Sequence, residues 1–509
     1  MGHYLHLTLS AGLLLLLESC NEFSYDPSFS GDAPYSPGTE WRCGRIAYPC
    51  KSMPKPYSEA DLSRTLTVPE LLDIALYNNP ATRVSWMTAR AAAFGYEGSF
   101  SEYYPTIVYT GTVTIDNNTI GKGTGSGPAS TVPGSIFQNT NITGNGAISS
   151  TSSSTTSTSN QIETLFNEIT ASWLMFDFGG RDAQVELARQ ILIAADWQHN
   201  FTMQQVMLSV LTAYTGYIGN KALVVGYRQD LEDAKTLLKS AEVMYKAGLS
   251  TLTDVLQAKS TLEQAKLNLA EAEGAERTSF GELIIALGLS PHLKIAVVDL
   301  PDKLPIVNIS GDIDSFLETA KYRRPDLGAA IAAVKQQEAD LAISFSAGMP
   351  IMTANGVLSR THFFHNPSLD GHNNSIAISV TAPLFEGFFY LNQQRQIRAQ
   401  IEEALANVEV QLSAVATQVV TDYYAFTTAV EAIPSSEAIL AYSERAYRGY
   451  LAQYKVGTAS LLDAVNALTI LSNARAQRVV IRTQWAASLA NLAFAAGILT
   501  DDKGDWSGI

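Results

Sequence analysis

Apolar positions change period several times along this chain, and each change marks an element. In Thr106 to Ile115, residues Ile107, Tyr109, Val113 and Ile115 fall on one side of a period-two pattern, with Thr106, Thr110, Thr112 and Thr114 on the other. Ile169, Ala171, Trp173 and Met175 oppose Thr170 and Ser172 in the same way, and Ile376, Ile378, Val380 and Ala382 oppose Ser379 and Thr381. Ile351 to Ser359 carries the weakest version. This alternation predicts four strands with two unlike faces, over about 106–115, 167–178, 351–360 and 375–385.

Elsewhere the period becomes helical. No proline occurs from Gly180 to Ala247, and Val210, Ala213, Tyr214, Tyr217 and Ile218 recur at spacings of three and four. One helix over that stretch would reach on the order of 100 Å at about 1.5 Å per residue. Val255, Ala258, Leu262, Ala265, Leu269 and Ala272 alternate larger and small residues, and Ala464, Ala467, Leu471 and Ala474 copy them. Small residues at seam positions let helices approach as coiled-coil packing requires. Gly248 and Gly457 are helix-ending residues followed by Ser or Thr that can cap a following helix, so each predicts a tight turn between antiparallel helices. Pro434 predicts a break or kink in the long helix of the second half.

The pattern is stated twice. Tyr245 to Ala258 returns as Tyr454 to Ala467, at a constant difference of 209, and Phe176-Asp177 and Gly288 match Phe385-Glu386 and Gly497 at the same difference. Earlier positions differ by 245 instead: Asn79-Pro80 matches Arg324-Pro325, and Pro105 matches Pro350. The first half therefore carries 36 additional residues between Pro105 and Phe176. They fall in Ile115 to Gln161, almost entirely Gly, Ser, Thr and Asn, which reads as an exposed loop because it has too little apolar surface to fold on itself. The shorter equivalent is roughly Arg360 to Asn374. The expected organisation is a signal segment 1–20, an extension 21–65, a first repeat 66–289 with its loop at 116–166, a linker 290–311, a second repeat 312–498 and a tail 499–509.

Strands of this length, apolar on one face and polar on the other, fit either a barrel between lipid and water or a soluble sandwich. Four strands cannot close a barrel, and open edges are not tolerated in lipid, so a membrane-spanning form requires several chains to pool their strands. A formal net charge of −15 argues against nucleic acid as a partner. No apolar run is long enough for a spanning helix. Catalytic constellations are missing, and no cofactor or metal is expected. His362, His365 and His372 form the one histidine cluster, without a fixed carboxylate pair, and Gly179-Gly180 follows no phosphate-loop spacing.

Leu13 to Leu17 centres a short apolar run that fits a signal segment and ends in Leu17-Glu18-Ser19-Cys20, similar to a bacterial lipoprotein cleavage site. Cys20 would then be the lipidated residue, although only His3 and His6 precede the run in place of Lys or Arg. Asn21 after it favours the outer membrane, by resemblance to bacterial lipoproteins. Cys43 and Cys50 remain, either as a small disulfide loop or as two free thiols.

Taken in order, Leu66-Thr67-Val68-Pro69-Glu70, Asn79-Pro80, Tyr104-Pro105, Phe176-Asp177-Phe178-Gly179-Gly180-Arg181, the Gly248 and Gly457 turns and Arg324-Pro325-Asp326-Leu327 resemble the TolC-like outer-membrane efflux family. The resemblance runs from Leu66 to Gly497. It implies a mainly α chain with a small β part: four transmembrane strands per subunit closing a twelve-stranded barrel as a homotrimer, and helices forming a long periplasmic coiled-coil tunnel. It also implies an exit duct working with a periplasmic adaptor and an inner-membrane transporter, anchored in outer-membrane lipid. A non-channel coiled-coil scaffold of the cell envelope is the alternative.

In the family the tunnel narrows near the repeated turns. By that resemblance Tyr454 matches a constricting tyrosine, Asp463 a ring of aspartates, and Thr253 and Asp254 their polar neighbours. Ala459 stands where some members have a tethering arginine, and Asn466 where a second acidic ring can occur. The turns themselves, Gly248, Leu249 and Ser250 with Gly457, Thr458 and Ala459, are the expected adaptor-docking tips.

Overall fold

The computed structural model describes residues 33–34, 36–41, 64–118, 160–301, 313–364 and 367–499. Cys20, Cys43, Cys50 and His365 lie outside them, as do the expected signal segment and most of the expected extension, long loop and tail. The elements in order are β1 (Thr65–Leu66), α1 (Val68–Asn78), α2 (Pro80–Ser99), β2 (Thr106–Asn118), β3 (Asn160–Phe176), α3 (Gly180–Lys246), α4 (Leu252–Ala286), β4 (Ala296–Val297), α5 (Ile313–Arg323), α6 (Pro325–Ala347), β5 (Ile351–Phe363), β6 (Gly371–Thr381), α7 (Phe389–Lys455) and α8 (Leu461–Ala495). The helix lengths repeat as the sequence does: α3 and α7 each have 67 residues, and α4 and α8 each have 35. Two compact units result, a sheet unit of Ser101–Arg181 and Ser346–Glu386 and a helical unit of the rest.

In the helical unit α3–α4 and α7–α8 are two long hairpins. Their shared core near the turns joins Leu237, Ala241 and Met244 of α3 and Ala258 and Ala265 of α4 to Tyr447 and Tyr454 of α7 and Leu461, Ala464, Leu468 and Leu471 of α8. The small seam residues Ala258, Ala265, Ala464, Ala467 and Ala474 are all buried, as coiled-coil approach demands. Pro434 corrects the expected break: α7 runs through it as one helix. The proline removes one main-chain donor, but its surroundings are packed, with Phe426, Ala429 and Ile433 buried against Trp485 of α8.

A second core closes the other end of the hairpins, where Leu71, Ile74 and Leu76 of α1 meet Met203 and Val210 of α3, Leu283 and Ile284 of α4, and Phe494 of α8. Here the linker does more than connect, because its β4 pairs in parallel with β1, Leu66 opposite Val297. Each hairpin ends on a glycine held against the helix break of its own half. Gly288 (φ 69°) leaves no room for a side chain: a Cβ there would lie 2.6 Å from the Asn78 carbonyl oxygen, and one on Gly497 (φ 69°) 2.9 Å from the Arg323 carbonyl carbon. The adjoining polar contacts match too. Asn79 Nδ2 donates to the Ala286 carbonyl at 3.0 Å, and Arg324 Nη1 to the equivalent Ala495 carbonyl at 3.5 Å. Arg324 is buried and needs a counter-charge, which Asp326 supplies at 2.5 Å.

Residues 33–34 and 36–41 lie along this unit, fastened by side chains that read their main chain. Asn200 of α3 accepts from Trp41 N at 2.8 Å and donates to Trp41 O at 2.7 Å, and Trp86 of α2 donates to the Pro34 carbonyl at 2.7 Å. His199, fully buried, sits between Ser85 Oγ (2.9 Å from Nδ1) and the Thr39 carbonyl (3.3 Å from Nε2).

In the sheet unit the strands are antiparallel in the order β2-β3-β5-β6. The ladder is longer than side-chain alternation predicts, from Thr106↔Ser172 out to Asn118↔Asn160, so β3 starts inside the segment expected to be loop and the loop begins later than residue 116. Main-chain pairing needs no apolar side chain, which is why a polar sequence continues the strands. At the other end β3 stops at Phe176 and β6 at Thr381, short of the expected 178 and 385. Asp177 turns the chain there: its Oδ2 accepts from Arg181 N at 2.6 Å while the Arg181 guanidinium donates to the Leu174 carbonyl at 2.8 Å and lies over the Tyr103 ring. Pro383, two residues past β6, has no N–H to extend the ladder.

Register aligns one apolar set from all four strands on a single face: Tyr109↔Ile169, Ile169↔Leu358, Trp173↔Ala354, Ala354↔Ile378 and Met352↔Val380. No described side chain of these strands is fully buried, and the apolar face stands open. No helix among the described residues is long and apolar enough to cross a membrane.

Candidate gate and docking tips at the helical turns

Both turns use one local device twice. Gly248 (φ 72°) and Gly457 (φ 79°) adopt the left-handed conformation, Leu249 N donates to the Met244 carbonyl, and Thr458 N donates to the Gln453 carbonyl, each at 2.9 Å. This caps the carbonyls at the end of the incoming helix. The outgoing helices start on Thr251 and Ser460, whose hydroxyls accept from Asp254 N and Asp463 N. Asp254 and Asp463 answer by accepting the Thr251 N–H at 3.0 Å and the Ser460 N–H at 3.1 Å. The repeated aspartates thus have a structural reason to exist, as the acidic members of capping boxes.

That assignment places the expected site residues. Asp463 is exposed, and the bonds from the Ser460 hydroxyl and then its main-chain N–H hold its carboxyl below the usual carboxylate range. Asn466, one helical turn on, is exposed on the same side of α8. Thr253 is exposed beside Asp254 on the other hairpin, and Gly248, Leu249, Gly457 and Thr458 all face solvent. Ser250 and Ala459 are half-buried.

The matched tyrosines have diverged. Tyr245 is 45% exposed, whereas Tyr454 is 4% exposed and belongs to the core between the hairpins. Burial pushes the Tyr454 phenol up, the nearby Ser250 hydroxyl opposes that, and the Asp254 carboxylate adds to it. The structure therefore brings Tyr454, Ser250 and Asp254 of opposite hairpins together. Both hydroxyls are shielded from solvent at this contact. Met244 of the first hairpin comes up against the Gly457 turn of the second, 3.9 Å from where a Cβ would stand.

The sequence does not announce a second meeting of the hairpins, in which Arg475 of α8 is paired with Asp230 and Asp233 of α3. Opposite charges 242 and 245 residues apart carry no short-range signal. Of the three clustered histidines, His362 bonds Asp370 through Nδ1 at 2.7 Å, as a local brace of the β5–β6 hairpin.

A mainly helical chain with a small antiparallel sheet, built from two copies of one pattern, is the fold class of the outer-membrane efflux channels. The chain belongs to the outer membrane efflux protein family, whose model matches residues 71–289 and 316–498. It is 24% identical to the protein CyaE of Bordetella pertussis, with 98% of this chain and 96% of that one covered. It is 22% identical to the pyoverdine export outer membrane protein OpmQ of Pseudomonas aeruginosa, over 69% of this chain and 72% of that one. Among solved structures, the CmeC outer membrane channel of Campylobacter jejuni shares the fold, with a TM-score of 0.68 at 16% identity over 93% of this chain and 97% of that one.

Proposed function

We propose that the chain forms a homotrimeric exit duct, four strands from each subunit closing a twelve-stranded barrel in the outer membrane and the helical hairpins forming a periplasmic tunnel. The observation that carries this is the sheet: an apolar face in register across four strands, open to its surroundings, with β2 and β6 each paired on one side only among the described residues. An unpaired edge next to an apolar face is stable in lipid only when another copy completes it. The duct is passive, gated near Tyr454, Asp254, Thr253 and Asp463, with Asn466 leaving one acidic ring on α8. Its turns, Gly248 to Ser250 and Gly457 to Ala459, dock an adaptor that links it to an inner-membrane transporter, and Cys20 carries the lipid anchor.

The reading is tested on outer-membrane fractions and in planar bilayers. Heat-resistant trimers that conduct are expected; trimers without conductance would return the protein to the non-channel scaffold. Docking has its own readout. Bulky residues at Gly248 and Gly457 should lower export several-fold while trimers and conductance persist, and normal export in both variants removes the tips from the docking surface.

A further inference from the structure

The apolar face of the sheet changes its chemistry at one row. By chain connection all four strands meet helices at the same end, since β2 and β5 follow helices and β3 and β6 lead into them. Toward the other end Arg360 of β5 lies directly opposite His372 of β6 on one side and Asn167 of β3 on the other. Paired residues stand about 5 Å apart, so an amide, a guanidinium and an imidazole line about 10 Å of one face. Beyond Leu358 and Ile376 on that face, β5 and β6 carry Arg360, His362, Asn374 and His372, none of them apolar.

The row stands where a lipid-facing band would end. The eight residues from Met352 to Arg360 advance about 27 Å along the strand and about 20 Å in height at the tilt of membrane strands, against a band about 25 Å tall. A cation on such a face is unfavourable at mid-depth and tolerated at the interface, where headgroup phosphates lie.

The donors of this row are also available. Arg360 and His372 are exposed, and among the described residues no hydrogen bond or ion pair engages either side chain. The Tyr109 hydroxyl donates to Asn167 Oδ1 at 2.8 Å, which orients that amide and leaves its Nδ2 donors open. The acids toward this end have partners of their own. Asp370 accepts the Phe363 N–H at 2.9 Å and bonds His362 Nδ1 at 2.7 Å, reaching Arg360 through its field alone, and Glu163 is engaged as well.

Strand pairing does not require these residues, as the internal duplication shows. Thr106↔Ser172 and Ile351↔Thr381 are equivalent pairs at differences of 245 and 209, so Arg360↔His372 corresponds to Ile115↔Glu163. The first hairpin puts an isoleucine and an acid where the second puts two nitrogen donors. A planar guanidinium matches two phosphate oxygens, and the imidazole and carboxamide each add an N–H.

We propose that Asn167, Arg360 and His372 bind the phosphate of an outer-leaflet lipid on the outside of the barrel, one site in each subunit. The site rests on the duct reading, which turns this face to lipid, and adds to it the lipid chemistry that the face recognises.

The test uses the full chain, purified as its oligomer in mixed micelles with lipid A as the phosphorylated probe. Retained lipid is measured by native mass spectrometry, and conductance in planar bilayers reads the duct separately. Arg360→Ile, which installs the side chain that the first half carries at this place, and His372→Gln should each lower retained lipid A by roughly fivefold or more. Ser359→Gln, on the opposite face, should leave it unchanged. Retention equal to wild type in both site variants, with intact oligomers, overturns the site. Inorganic phosphate that strips the lipid at equal concentration overturns the lipid assignment in favour of a free anion. If Arg360→Ile loses the oligomer, His372→Gln and Asn167→Ala decide by the same measure. A wild-type oligomer that conducts without retaining lipid A overturns the site alone, whereas one that retains it without conducting overturns the duct and keeps the site.

Discussion

His199 shows how much of this molecule is decided by single buried groups. The imidazole is fully buried, and burial, opposed only by the Thr39 carbonyl, lowers its pKa from 6.5 to about 4. Between those values the unfolded chain binds a proton that the folded chain refuses, so stability is complete above about pH 6.5 and falls as pH drops toward 4. The loss approaches ~3 kcal/mol. Heat dissociation followed from pH 7.5 to 4.5 should show this slope, and His199→Gln should flatten it; an unchanged slope assigns the acid sensitivity to other groups. His199 was not legible as a fastening point, because its partner Thr39 lies 160 residues away. Asp463 was legible as a residue but not in full. The resemblance marks it as a charge on the axis, whereas its bonds to Ser460 are local and follow from the Ser-x-x-Asp spacing alone.

At the scale of elements, the glycines that end the four hairpin helices separate into two kinds. All have positive φ, so alanine at any of them meets the left-handed penalty of about 1 kcal/mol. Gly248 has open space around it and Gly457 nearly so, while Gly288 and Gly497 are pressed against main chain. Gly288→Ala and Gly497→Ala should therefore lower the thermal midpoint well beyond Gly248→Ala and Gly457→Ala, the excess being about 1–3 kcal/mol of overpacking. Equal shifts for all four would mean that the helix breaks at Asn78 and Arg323 yield freely. The hairpins and their turns were readable because helical period, capping residues and duplication agree. Strand ends and Pro434 were not, since pairing of main chain extends β3 through polar sequence and packing against Trp485 carries α7 past its proline.

For the whole molecule, the proposed trimer would make assembly and membrane insertion one event, because the apolar face of the sheet stands open in the single chain. Ile378 lies within that face and is 65% exposed, and its neighbour Ser379 lies on the other. Lysine at Ile378 should cost about 2–4 kcal/mol if it meets lipid near mid-depth. Trimers recovered from the outer membrane should fall sharply for Ile378→Lys and hold for Ser379→Lys; matching yields would place the face away from lipid. Alternation along the sequence marks this face, but the alignment of apolar side chains across four strands needed the register.

The paired roots of the hairpins carry a lesson about ancestry. Asn79 and Arg324 reach equivalent carbonyls, yet only Arg324 has Asp326 beside it, and the position matching Asp326 in the first half is Ala81. Asn79 instead accepts the Ala81 N–H with its own amide oxygen. Neither chemistry can be exchanged one residue at a time: an arginine alone at 79 would lack its acid, and an aspartate alone at 81 its base. After the duplication the two halves became separate inventions under one shape, and any chimera of them inherits its fitness in pairs.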